Sequence, residues 1–352
     1  MLTPSLASAH GTAVYPKSRV RRIYEANPSN PAFPLAASAV QMDGALSYYT
    51  WNEVSRLVPS AVAAGLPPGF DYSQWMPDGA IASAGRVLAN SPCYPRTYLG
   101  LDQISEDWPT TPLTGGATIT VDFYATAPHV PGVFDVWITK PGWNPTMPLI
   151  WGQMEFLSRP ANPTLTSQHF YFDVTIPSDR SGHHVLWIAW QRNDPAGEVF
   201  ISTSDIVIRT YPGSQEDFEL ATGVNSAPSA FPDVKPINTG DALSVTFGSP
   251  NSTYNGTIPA LFATVFPTGV PHASIMGFPE VHIDPTNFIL VFDGGGGLGP
   301  VIPLPPSGLA FSATLVPGLS GSSIQLQALA IAPSTFTGHA ITVTDGHEIR
   351  VN

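Results

Sequence analysis

Residues 118–125 read TITVDFYA and run on through Thr126, Ala127 and Pro128 to His129. β-Branched and aromatic side chains fill the segment, and apolar residues alternate with polar ones. A period of two places one set inward and the other outward, as in a half-buried strand. The same short pattern recurs at 133–139 (VFDVWIT), 168–176 (QHFYFDVTI), 184–191 (HVLWIAWQ) and 204–211 (SDIVIRTY), with Pro and Gly between the runs. Short strands punctuated in this way predict an all-β, immunoglobulin/fibronectin-like β-sandwich. Residues 38–100 carry aromatics without a clear period and are expected to form a long loop insertion, where function commonly resides.

Composition agrees with an extracellular β protein. Only 11% of the 352 residues are charged, against 38 Pro and 31 Gly. A formal charge of -12 disfavours nucleic acid and anionic membranes as partners, but not a neutral polysaccharide. No apolar run is long enough to span a membrane. The lone cysteine, Cys93, excludes an intramolecular disulfide. All eight Trp fall between Trp51 and Trp190, and only Tyr254 of the tyrosines lies beyond Tyr211. That shift in composition predicts a first domain over 10–212, a linker over the polar stretch 213–236 with a boundary near Gly223, and a second domain over 237–352. Runs at 242–247, 260–266, 287–292, 310–316, 323–331 and 340–343 make this C-terminal domain β as well.

The chemistry points to the start of the chain. Ala7-Ser8-Ala9 is the small-residue pattern that signal peptidase cuts, so residues 1–9 are expected to be a signal-peptide remnant. Cleavage there would leave His10 first. An N-terminal histidine offers its amine and its ring Nδ1 to one metal ion, and a second histidine completes a three-nitrogen site of the kind that suits copper. Other signals are weaker. His183 and His184 are adjacent on a strand and point to opposite faces, so they are read as structural. His169, His272, His282, His339 and His347 show no ligand spacing. Gly294, Gly296 and Gly299 fit G-x-G-x-x-G, but the proline-rich run after Pro300 cannot start the helix that a dinucleotide site needs.

Ordered blocks across 10–211 carry a family resemblance. They include His10-Gly11, YTWNEV at 49–54, PDGAIASAG at 77–85, DWPTT at 107–111, ATAPH at 125–129, ITKPGWNP at 138–145, SGHH at 181–184, WQR at 190–192 and Val199-Phe200 ahead of Asp205. In these the chain resembles the bacterial-type lytic polysaccharide monooxygenases of auxiliary activity family ten, which include chitin-binding proteins. The resemblance implies a secreted copper enzyme that breaks glycosidic bonds oxidatively, using an external electron donor and O2 or H2O2. It implies that His10 and His129 hold the copper in a histidine brace. Ala127 would lie beside the open axial position and Phe200 on the other axial side. Glu53 would act as the carboxyl beside the metal, and Asp205 as a structural residue or one that supports the ligands from behind. Tyr49 and Trp51 are expected on the face that meets substrate. Insoluble chitin is the expected partner, with cellulose the alternative, and a monomer is expected. Two other readings remain: a non-catalytic chitin-binding adhesin, and a copper-binding protein. The C-terminal domain, with no Trp, one Tyr and only Lys235 and Arg350 as basic residues, has no readable function.

Overall fold

Contacts divide the chain into two units, residues 1–208 and 209–352. A computed structural model describes residues 10–58, 65–88, 95–193, 197–270, 275–297, 299–335 and 337–352. The expectations for Ala7-Ser8-Ala9, Cys93 and His272 lie outside the described residues.

The first unit opens on strand β1 (His10–Tyr15), followed by helices α1 (Arg19–Glu25), α2 (Pro34–Asp43) and α3 (Ala45–Tyr49) and a 3-10 turn at Trp51–Glu53. Ser18 caps α1, its side chain accepting from the Arg21 N–H. Pro34 opens α2, where its missing N–H leaves no helical bond unmade. Gly44, with φ of 80°, makes the turn between α2 and α3. These helices correct the expectation of a plain loop insertion from residue 38. They lack the apolar stripe that would announce them, since α1 turns Arg19 inward together with Val20 and Ile23.

Nine strands follow: β2 (Ser55–Leu57), β3 (Thr111–Thr114), β4 (Thr118–Ala127), β5 (Gly132–Thr139), β6 (Met154–Ser158), β7 (Thr164–Thr166), β8 (His169–Thr175), β9 (Gly182–Arg192) and β10 (Glu198–Arg209). They form two sheets, ordered β1-β4-β8-β7 and β2-β10-β9-β5-β6, with β3 attached to β10. Val121, Phe123 and Ala125 of the first sheet share a buried cluster with Phe134, Ile188, Trp190 and Phe200 of the second. The unit is therefore a β-sandwich. The helices cover the opposite face of the second sheet, where Val20, Ile23 and Ala39 join Val185, Trp187, Ala189 and Ile201. Burial on both faces explains why the run VLWIAW in β9 shows no polar alternation.

One ion pair ties α1 to this sheet. Arg19 Nε and Nη2 donate to Asp205, at 2.6 and 2.9 Å, and His183 Nε2 lies 2.8 Å from the same carboxylate. The Arg19 guanidinium also sits over the Trp108 ring, 4.6 Å from its centroid. Burial works against the Asp205 charge, but Arg19 and then His183 outweigh it and hold the carboxyl below its usual range. His184 points the other way, to Thr139 Oγ1 at 2.8 Å. The two histidines of the pair thus serve different bonds on opposite faces of β9.

The second unit contains β11 (Glu219–Val224), β12 (Val234–Ile237), β13 (Ala242–Gly248), β14 (Pro259–Pro267), β15 (Phe288–Asp293), β16 (Leu309–Thr314), β17 (Ser322–Ala330), β18 (Thr342–Val343) and β19 (His347–Val351). Its sheets are β11-β13-β16 and β12-β19-β17-β14-β15, with β18 on β17. Leu220, Val245 and Phe247 pack against Leu261, Leu326 and Ile349 between them. The expected linker at 213–236 is corrected here. It contains β11 and most of β12, and Gly223 pairs with Ser244 inside the sheet. Its polar residues are satisfied within the fold: Asp217 accepts from Ser249, Asn251 and Thr253, and Asp233 from Thr210.

Replacing Asp205 with Asn leaves the Arg19 charge buried without its counter-ion. Asp205→Asn is expected to destabilise the first unit by about 3–5 kcal/mol. Trp fluorescence during denaturant unfolding reports this unit alone, because every Trp lies in it. An unchanged midpoint would show that the pair does not hold α1 to the sheet.

Candidate metal centre

The centre is built from the pairing of β1 with β4. His10 lies opposite Ala127 and Gly11 opposite Ala125, with a register shift between the two pairs. Such a shift re-aims the side chain next to it. Gly11 is required by close approach: a Cβ there would lie 2.6 Å from the Phe123 ring and 2.8 Å from the Tyr124 carbonyl oxygen. Across the sandwich, Ser202 Oγ on β10 accepts from the Ala13 N–H at 2.9 Å and meets Thr12 Oγ1 at 3.0 Å. The first turn of chain after His10 is thus fixed to both sheets.

Phe200 lies on β10 opposite Trp190 and is fully buried. Its ring meets the His10 ring edge-on, with centroids 6.0 Å apart. His129 follows two residues after Ala127, immediately past the end of β4. The structure therefore brings His10, Ala127 and Phe200 to one end of the sandwich, with His129 on the segment leaving it. Among the described residues there is no cluster of three or more His, Cys, Asp or Glu side chains suited to a metal. Two imidazoles form no such cluster, and nitrogen donors of this kind fit copper. His10 and His129 are the residues that would hold it.

Glu53 accepts a 2.6 Å bond from Arg96 at its carboxylate, and Arg86 donates to its backbone oxygen. Glu198 is a second carboxyl, and His10 acts on it electrostatically. Burial raises its pKa, opposed by a 2.8 Å bond from Arg192 and, more weakly, by His10. The signal was present in the sequence. Glu198 stands two residues before Phe200 on one strand, and residues two apart share a face.

Thr126 was not singled out either. Its Oγ1 accepts from Asn52 Nδ2 at 2.7 Å and lies 3.5 Å from the His10 carbonyl oxygen, so the 3-10 turn is linked to the start of β1. Tyr49 is exposed, its hydroxyl 2.6 Å from Ser29 Oγ. Trp51, expected beside it on the substrate face, is only 7% exposed. It stacks on Tyr124 at 5.7 Å, and Tyr124 stacks in turn on His169 at 4.7 Å. Trp51 is therefore part of the packing that seats the turn.

A family model described as "Lytic polysaccharide mono-oxygenase, cellulose-degrading" matches residues 10–206. The chain belongs to this family. A lytic cellulose monooxygenase of Streptomyces ambofaciens is 34% identical over 221 residues, covering 59% of this chain and 55% of the relative. The chitin-binding protein CbpD of Pseudomonas aeruginosa is 31% identical over 211 residues, covering 58% and 49%. The chain spans about half the length of these two relatives. Among solved structures, the cellulose-active monooxygenase CelS2 in complex with copper is 33% identical, with a TM-score of 0.46, covering 56% of this chain and 98% of that one. The family match begins at His10 and runs through both sheets of the sandwich.

The tight seat of Gly11 makes a direct test. Gly11→Ala is expected to cost about 1–3 kcal/mol through overpacking, read by Trp fluorescence during unfolding. Cu(II) binding should weaken with it. Unchanged unfolding would mean that the two strands do not approach as closely as described.

Proposed function

We propose that this chain, cut so that His10 becomes its first residue, is a secreted copper-dependent monooxygenase that cleaves an insoluble polysaccharide. The observation that carries this reading is the placement of His10 opposite Ala127, two residues ahead of His129 and against the Phe200 ring. Membership of the family supports it. The other copper-site assignments are proposals of the same kind.

In this reading the His10 amine and ring, with the His129 ring, bind the metal. Copper, when bound, supplies one-electron redox chemistry, with an external electron donor and O2 or H2O2 as co-substrate. Phe200 presents a buried hydrocarbon ring to His10; it has no donor atom, so it would add no ligand and would exclude water. Ala127, opposite His10, would leave room beside the metal because its side chain is small. Glu198 places a carboxyl with a raised pKa near His10, where it can hold or release a proton at its Oε atoms. Arg192 fixes its orientation. Tyr49 offers an exposed ring to a sugar face.

Chitin is the first substrate, on the sequence blocks at 49–54, 77–85 and 181–184. Cellulose is the second, because the 34%-identical relative carries that name. Copper-loaded protein beginning at His10 should release oxidised oligosaccharides from one of the two polymers when ascorbate is supplied, detected by mass spectrometry. Products should vanish without ascorbate and in His129→Ala. Absence of oxidised products from both polymers, in protein that still binds copper, would overturn the enzyme reading in favour of adhesion or copper handling.

A further inference from the structure

The C-terminal unit holds a cleft unrelated to the copper-site residues. One face of the β14–β15–β17 sheet joins the main core of this unit through Leu261, Leu326 and Ala328. The other face carries a separate small cluster that includes Phe262 and Leu329. Residues 275–285 lie over that second face, and between them is a cleft of about 320 Å³. Phe262, Phe288 and Leu329 line it from the sheet, and Ile275, Phe278 and Ile283 from the covering segment.

The walls are fixed by polar bonds placed outside the cleft. Gln327, 2% exposed, is the single polar residue among the described residues of the lining, and its amide is fully engaged. Its Nε2 donates to the backbone oxygens of Glu280 and Thr344, each at 2.8 Å, and its Oε1 accepts from the His282 N–H at 2.8 Å. The Asp284 N–H donates to Thr264 Oγ1 at 3.1 Å, and His339 pairs with Glu280. These bonds hold the covering segment at a set height above the sheet and leave the lining, among the described residues, with no free side-chain donor or acceptor. Water in such a space finds none of the two to four polar partners that would hold it. A charged ligand would lose its hydration without compensation. The volume falls within the range of about 300–1,000 Å³ usual for small-molecule sites. It is about twice that of a dry 150 Å³ cavity known to admit benzene. Phe262 and Phe288 meet edge-on at 5.6 Å, so ring edges and faces are presented together, as aromatic partners prefer.

We propose that this cleft is a binding site for an uncharged aromatic molecule of one or two rings. The probe is 1-naphthylamine, titrated by fluorescence into the full chain, with naphthalene as competitor. One saturable site, emptied by naphthalene, is expected. Phe288→Glu puts a charge at the rim and Ile341→Trp fills the space, and each should weaken binding at least tenfold. Ile289→Glu changes the next residue on the same strand, which does not line the cleft. It should bind as the unaltered chain does. Phe288 and Ile289 are 48% and 55% exposed, so neither change empties a core position. Circular dichroism checks that each variant is folded. Absence of saturable binding to the unaltered chain would overturn the proposal without recourse to any variant. So would equal binding by all three variants, or an equal loss in Ile289→Glu, which would place the probe on the exposed strand edge. A change of oligomeric state in Phe288→Glu by light scattering would instead make the cleft a contact between copies of the chain.

Discussion

The antiparallel register of β1 on β4 is the constraint on which the candidate centre depends. Two histidines separated by more than a hundred residues of sequence have no local reason to meet. Backbone pairing supplies one, because it sets His10 opposite Ala127 and so within two residues of His129. Gly11 allows the close approach, and Ser202 bonds to Thr12 and Ala13 from the second sheet. A slip of one residue would turn His10 to the other face of the sheet and take its ring away from Phe200.

The strands were legible because each buries one face, or both, and their apolar residues record it. The run at 118–125 became β4, and the runs at 133–139, 168–176 and 184–191 became β5, β8 and β9. The start of β10 was missed, and Glu198 with it. Polar Ser202 and Ser204 interrupt the apolar pattern there, yet they are buried and bonded to β1 and to Pro16. Helices α1, α2 and α3 were not legible. They span ten residues or fewer, and α1 buries a charged Arg19 whose partner Asp205 is distant in sequence. The linker reading failed for a related reason. Asp217 and Asp233 look solvent-bound in sequence, but folded neighbours satisfy them.

Trp51 and Glu53 show how neighbours in one sequence block part company. Both stand in the block 49–54, but a 3-10 turn sends their side chains to different surroundings. Trp51 goes to a stack with Tyr124, and Glu53 to Arg96. Glu198, on which His10 also acts, arrives on a different strand, where alternation with Phe200 fixes its side. A period of two is rigid while a turn of a few residues is not, so strand geometry fixes side-chain direction more firmly.

In the proposed centre, the amine freed by cleavage ahead of His10 joins the His10 and His129 imidazoles at copper. The EPR spectrum of Cu(II) bound to protein beginning at His10 tests it directly. The account predicts coupling to three nitrogens, with the spectrum altered and one coupling lost when Ala9 is retained ahead of His10. Identical spectra from the two proteins would contradict it, since the amine would then take no part in holding the metal.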